Sequence, residues 1–149
     1  MSYIIEFFKN EIIVACLISW LIAQVLKVIL VLITSKTIDL SRLVGSGGMP
    51  SSHSSLVSTL VFMTGRISGV SSPEFAVAFA LAVIVMYDAA NVRREAGEHA
   101  KIINIIIDQW VENDNLKIDK DLKELLGHTP FEIIIGAILG SIIGAFFPV

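Results

Sequence analysis

IIVACLISWLIAQVLKVILVLI, residues 12–33, is an apolar run of 22 positions broken only by Gln24 and Lys27 as strongly polar side chains. A bilayer core of about 30 Å needs about 17 to 25 such residues in a helix, so the run predicts a transmembrane helix. It is too long for the roughly 7 to 15 residues of a signal-peptide core, and no clear cleavage motif follows it, so a retained span is expected.

Three further segments have similar character: Ser54 to about Val70, Phe75 to Val92, and Phe131 to Val149. The second is diluted at its far end by Thr64, Gly65, Arg66 and Ser68, and is expected to stop early or only dip into the bilayer. The whole chain has 149 residues, 54% apolar, with a mean hydropathy of +0.78, well above a soluble domain of this size. The expected fold is all-α: one domain over residues 1–149, a multi-pass membrane bundle of about four spans and one surface or amphipathic helix.

Charged residues make up 17% and are concentrated between Arg93 and Glu124. Within that stretch, between about 93 and 130, isoleucines 102, 103, 105, 106 and 107 with Trp110 and Val111 lie beside Lys101, Asp108, Gln109 and Glu112. This pattern suits a helix on the membrane surface or packed on the bundle, followed by a solvated connector over 112–123. The net charge of −3, with acids interleaved among bases, argues against a nucleic-acid partner. Cys16 is the only cysteine, which excludes an internal disulfide and reads as a small buried side chain.

Basic residues set the orientation. With Lys27 inside the first span, eight bases (Lys36, Arg42, Arg93, Arg94, Lys101, Lys117, Lys120, Lys123) lie on one side and two (Lys9, Arg66) on the other. The positive-inside tendency then puts the first and third loops in the cytoplasm, given four spans. The end of span one, the start of span two, the end of span three and the start of span four share that face.

Two of the three histidines lie there, in GGMPSSHS (residues 47–54) and GHTPFE (residues 127–132). In the first motif the glycines, Gly48 among them, permit a tight turn, Pro50 sets φ, and Ser51 or Ser52 can cap the next helix. Amides exposed at such a helix start form an anion site, although a plain N-cap with an incidental His53 fits the same pattern. In the second, Thr129, Pro130 and Glu132 have the spacing of a capping box. Glu132 also stands one turn from His128, where a carboxylate can fix the tautomer of a nucleophilic imidazole. The motif alone does not choose between those two roles.

The third span closes in YDAANVRREAGEH, residues 87–99, with Asp88, Asn91, Glu95 and His99 near one helical face. Asp88 is costly inside a span and is expected to face Lys27 or an arginine. Arg93 and Arg94 serve either as interfacial anchors or as phosphate clamps, and Lys27 either snorkels to the interface or enters the bundle. Asp88, Glu95 and His99 also offer metal-ligand types, but without a recognised ligand spacing.

Taken together the motifs resemble a known group. PSSH at 50–53 is similar to the P-S-G-H motif of the type 2 phosphatidic-acid phosphatase and vanadium haloperoxidase superfamily, with Ser52 in place of glycine. His128 followed by Glu132 is similar to its final H-x-x-x-D motif, with glutamate for aspartate. With the closing glycine-rich helix, the set from Gly47 onward resembles the small divergent branch of that superfamily found in bacteria and plants.

The resemblance implies a membrane phosphatase acting on a lipid phosphomonoester or diphosphate, with no cofactor and no metal. By position it implies His128 as nucleophile, Glu132 as its orienter, His53 as general acid, and Ser51 and Ser52 on the phosphate. One imidazole must then be neutral and the other protonated as the leaving oxygen departs, so their surroundings must differ. Two motifs of the parent superfamily are absent. Lys36 and Arg42 are one residue too close for its K-x(6)-R-P, with Leu43 in place of proline, and Asp121 and Leu122 stand where its S-R pair belongs. Phosphoryl transfer needs cationic stabilisation, for which Arg93, Arg94, Lys27 and Arg42 are the candidates, with Gly48 and Asp88 completing the expected substrate site.

The alternatives are a binding or transport protein that keeps the anion pocket without turnover, and a structural subunit whose histidines are interfacial anchors. A bacterial plasma membrane or an organelle membrane is the expected location, and homo-oligomerisation is left open.

Overall fold

The computed structural model describes residues 2–36, 48–114 and 127–149. Six helices follow one another: α1 (Ser2–Lys9), α2 (Glu11–Ser35), α3 (Ser52–Ile67), α4 (Pro73–Ala90), α5 (Val92–Asp114) and α6 (Pro130–Phe146). No strand occurs among the described residues, so the expected all-α bundle is the observed one.

The boundaries follow local chemistry. Asn10 caps α2 by accepting from the Ile13 amide at 3.2 Å, which starts that helix one residue before the apolar run. Ser72 caps α4 in the same way at 3.1 Å, with Pro73 at the first helical position, so the third segment begins at 73 rather than 75. At Asn91 the amide N–H and the side-chain Nδ2 both donate to Tyr87 O at 3.1 Å, and this competition breaks α4 from α5. Arg93 and Arg94 therefore belong to the first turn of α5 and do not close the third span as expected; their side chains lie outside the described residues. Helix α5 runs on to Asp114, three residues into the predicted connector, whose remainder lies outside the described residues.

Helix α3 is the centre of the bundle, packed on α6, α2 and α4. Its hydroxyl residues, which lower its hydropathy, are the reason for that position: Ser52, Ser54, Ser55, Ser58, Thr59 and Thr64 are all buried. Ser55 Oγ meets Ser19 Oγ at 2.7 Å, and Thr59 Oγ1 lies 2.8 Å from Ser19 Oγ and 2.9 Å from Gly140 O. On α6, Gly136, Gly140 and Gly144 recur every fourth residue against Ser51, Ser55 and Thr59 of α3. This is the small-residue packing of helices in lipid, where close backbone approach and interhelical hydrogen bonds replace the hydrophobic drive.

The inside and outside are inverted relative to a soluble domain. Ala15, Ser19 and Ala23 are fully buried, whereas Val77 is 69% and Ile84 65% exposed. Large apolar side chains turned outward and small or hydroxylated ones turned inward suit hydrocarbon as solvent. By length and composition two helical runs can cross a membrane, Glu11–Ser35 and Pro73–Asp108, and α6 is a shorter apolar helix.

Contacts along the helices fix their directions. Gly136 meets Ser51 near the starts of α6 and α3, and Gly144 meets Thr59 and Phe62 toward their ends, so α3 and α6 are parallel. Helix α2 runs antiparallel to α3, since Lys27 reaches Ser52 while Cys16 Sγ lies 3.7 Å from Leu56 O. The end of α2 and the starts of α3 and α6 thus lie at one end of the bundle.

Candidate functional site

The turn before α3 sets the first wall of the site. Gly48 has φ of +84°, a left-handed conformation that disfavours any side chain, and Ser51 is the N-cap, accepting from Ser54 N at 3.3 Å. Of the two serines the sequence offered for this role, Ser51 takes it, and Ser52 becomes the first helical residue. Ser51 N–H donates to Glu132 O at 3.0 Å, a bond that ties the start of α3 directly to the first turn of α6.

The second wall is the start of α6. Thr129 Oγ1 accepts from Glu132 N at 3.3 Å, and Glu132 Oε2 accepts from Thr129 N at 3.0 Å, completing a capping box. The same Oε2 lies 3.1 Å from His128 Nδ1. One carboxylate oxygen therefore performs both roles that the sequence left as alternatives. An acceptor at Nδ1 makes that nitrogen the protonated one in the neutral ring, which gives the lone pair to Nε2.

His128 is buried at 2% exposure, and the His53 ring lies 6.3 Å from it, centroid to centroid, at an interplanar angle of 62°. Lys27 is also 2% exposed: it enters the bundle rather than snorkelling, and its Nζ donates to Ser52 Oγ at 3.3 Å. It also lines a cavity of about 210 Å³ with Gly48, Met49, Leu30, Val31 and Thr34. Two helix N-termini and a buried ammonium thus converge on one spot, an arrangement favourable to an anion.

The structure brings together His53, His128, Glu132, Ser51, Ser52, Gly48 and Lys27. Asp88 is half-buried near the end of α4. His99 and Glu95 lie exposed on α5, and no cluster of metal-ligand residues occurs among the described residues. Arg42 and the positions of the missing S-R pair lie outside the described residues. The sequence reading overlooked the partners that hold the walls together, Gly136, Gly140 and Ser19. The G-x-x-x-G spacing on α6 was the available signal for two of them.

The sequence matches the family described as "Divergent PAP2 family" over residues 8–143. The chain belongs to that family. A relative, the "Uncharacterized membrane protein YuiD" of Bacillus subtilis (strain 168), is 38% identical over 148 residues, covering 93% of this chain and 94% of its own length. No solved structure matches. This divergent PAP2 protein is accordingly a helical membrane protein, and the family match extends back through α2, where Lys27 resides, well before the motifs that first suggested the relationship.

Proposed function

We propose that the protein is a metal-independent phosphatase of membrane lipids, hydrolysing a phosphomonoester or diphosphate through a phosphohistidine on His128. The observation that carries this reading is the shared Glu132 oxygen 3.1 Å from His128 Nδ1, with the His53 ring 6.3 Å away.

In the proposed reaction the His128 Nε2 lone pair forms the N–P bond as the P–O bond to the leaving group breaks, and His53 delivers a proton to the departing oxygen. Glu132 stabilises the positive imidazole through its Nδ1–H. Water then attacks phosphorus, His53 takes its proton, and the N–P bond breaks to release phosphate. In this reading Ser51, Ser52, Gly48 and Lys27 bind the phosphoryl oxygens, Arg93 and Arg94 supply further positive charge, and Asp88 completes the substrate site. Charge stabilisation by such groups is commonly the largest catalytic contribution. With four spans, the excess of basic residues on this side supports a site at the cytoplasmic face.

A phosphate-release screen over lipid phosphates and diphosphates tests the reading, comparing the natural protein with His128→Ala and His53→Ala. Turnover that falls by orders of magnitude in both variants, with acid-labile phosphate trapped on His128, is the expected result. Unchanged turnover in folded His128→Ala removes the mechanism, and vanadate binding without any turnover selects a binding or transport role instead.

A further inference from the structure

Helix α1 approaches α2 alone among the described helices, and every residue from Tyr3 to Lys9 is exposed. Five of its eight residues are large and apolar: Tyr3, Ile4, Ile5, Phe7 and Phe8, with exposures from 47% at Phe7 to 84% at Tyr3. At 100° per residue these five cover an arc of about 200°, and Glu6 and Lys9 share the opposite side. A helix shorter than about 12 to 15 residues is marginal on its own in water. With no described helix beyond α2 to cover it, α1 needs a medium that is apolar on one side and wet on the other.

Its place in the chain says which medium that is. Asn10, between α1 and α2, is extended, with φ of −76° and ψ of 105°, so the chain turns there and α1 does not prolong the axis of α2. Helix α2 has 25 residues, a length of about 38 Å at 1.5 Å per residue, which exceeds a hydrocarbon core of about 30 Å. Its first turn therefore reaches the membrane boundary opposite the histidine end. The exposed apolar residues of α2 begin at Leu17 and Ile18, two turns beyond Asn10.

We infer that α1 is an interfacial anchor: it lies in the head-group layer of the leaflet opposite the histidines, with its apolar face in the upper acyl chains. The charges of Glu6 and Lys9 cancel, so the surface it fits needs no anionic lipid, unlike that sought by a polybasic face. A second copy of the chain is the poorer occupant, because a helix pair covers a narrow stripe and this apolar arc exceeds half of the circumference. The inference is independent of the chemistry proposed for the histidines.

The test uses the full chain in nanodiscs of zwitterionic lipid, with Cys16→Ala as background and nitroxide labels on single cysteines at positions 3, 4, 6, 7, 8 and 9. Collision with oxygen should exceed collision with a water-soluble nickel complex at 4, 7 and 8, and the order should reverse at 6 and 9. The depth should be about 5 to 10 Å below the boundary, and the same in nanodiscs of anionic lipid. Ile4→Glu with Phe8→Glu should abolish the alternation while a label at position 21 stays deep in lipid, which separates release of α1 from loss of the bundle. Hydrogen exchange on the natural chain needs no cysteine, and amides 6–9 should be protected in lipid and lose that protection in the double variant. Oxygen preferred at all six positions, nickel preferred at all six, both reagents excluded from 4, 7 and 8, or insertion in anionic lipid alone would each overturn the inference.

Discussion

Adding one methyl group at Gly140 should loosen the bundle more than the same change at any other glycine of α6. A Cβ there would stand 2.7 Å from the carbonyl carbon and 2.8 Å from the Cα of Ser55, and closer still to its carbonyl oxygen. Ordinary contact begins at 3.4 Å, so the α3 and α6 backbones must part by at least 3.4 − 2.7 = 0.7 Å. The same displacement would take the 2.9 Å bond from Thr59 Oγ1 to Gly140 O out to about 3.6 Å, beyond hydrogen-bond range. Overpacking costs about 1 to 3 kcal/mol and an interhelical hydrogen bond in lipid about 0.6 to 1.7 kcal/mol, so Gly140→Ala should lose about 2 to 5 kcal/mol. At Gly136 the nearest atoms are the carbonyl oxygen of Ser51 and then its carbonyl carbon at 3.1 Å, in the turn before α3 rather than within the helix, and at Gly144 the nearest atom is Phe62 Cβ near the end of α6. Both neighbours can yield more readily, so the losses should be smaller. Unfolding by sodium dodecyl sulfate in mixed micelles, followed by circular dichroism, measures all three variants without any assumption about function. Gly140→Ala as stable as the natural protein, or Gly144→Ala the worst of the three, would refute the packing argument.

Four further outcomes are expected. Glu132→Gln keeps a residue that can complete the capping box but loses the charge, so thermal stability should change by less than about 1 kcal/mol while turnover falls about 100-fold or more; equal turnover would remove the charge from the mechanism. Glu132→Ala loses the box as well and should cost a further 0.5 to 2 kcal/mol or so, read in the same melt. Lys27→Met replaces a buried cation by an apolar chain, so the fold should hold while vanadate affinity, measured by calorimetry, weakens about tenfold or more. Arg66 donates to Gly144 O at 2.9 Å and Phe147 O at 2.7 Å, closing the end of α6 away from the histidines; Arg66→Gln should cost about 1 to 3 kcal/mol and leave vanadate affinity unchanged.

The spans were legible in proportion to how much lipid their helices face. Helix α2 presents large apolar side chains outward along most of its length, and its apolar run predicted it to within two residues at each end. Helix α3 faces protein on most sides, so its sequence is chosen for hydroxyls that bond to Ser19 and Gly140, and a hydropathy reading undervalued it. The break at Asn91 was hidden for a different reason. Asparagine is tolerated within helices, and only the geometry shows its side chain competing for Tyr87 O. In the site, the identities and spacing of His128, Thr129 and Glu132 were sufficient to name both roles of the carboxylate, but two acceptors' duties on one oxygen is a fact of distance, not of sequence. Lys27 illustrates the same limit, since a lysine one or two turns from an interface has equal reason to snorkel or to turn inward until Ser52 is known to receive it.

The packing and the chemistry make opposite demands on α3 and α6. Two parallel helices whose starts are tied by the bond from Ser51 N to Glu132 O bring like ends of their dipoles together, and Lys27 adds a further positive charge there. Without an anion this end of the bundle is electrostatically unfavourable, and the carboxylate of Glu132 offsets only part of it. The opposing force is supplied farther along the same pair, by glycine on hydroxyl contacts too close for any other residue. Loosening those contacts should therefore separate His53 from His128 before it unfolds anything. The parallel pair also dictates the topology: α3 must be returned across the bundle by α4 before α6 can start beside it, so residues 68–129 are the connection that a site built from two helix beginnings requires. Stability of the bundle and poise of the histidines are, on this argument, set by the same helix pair, and a substitution that relaxes one end should be felt as altered anion affinity at the other.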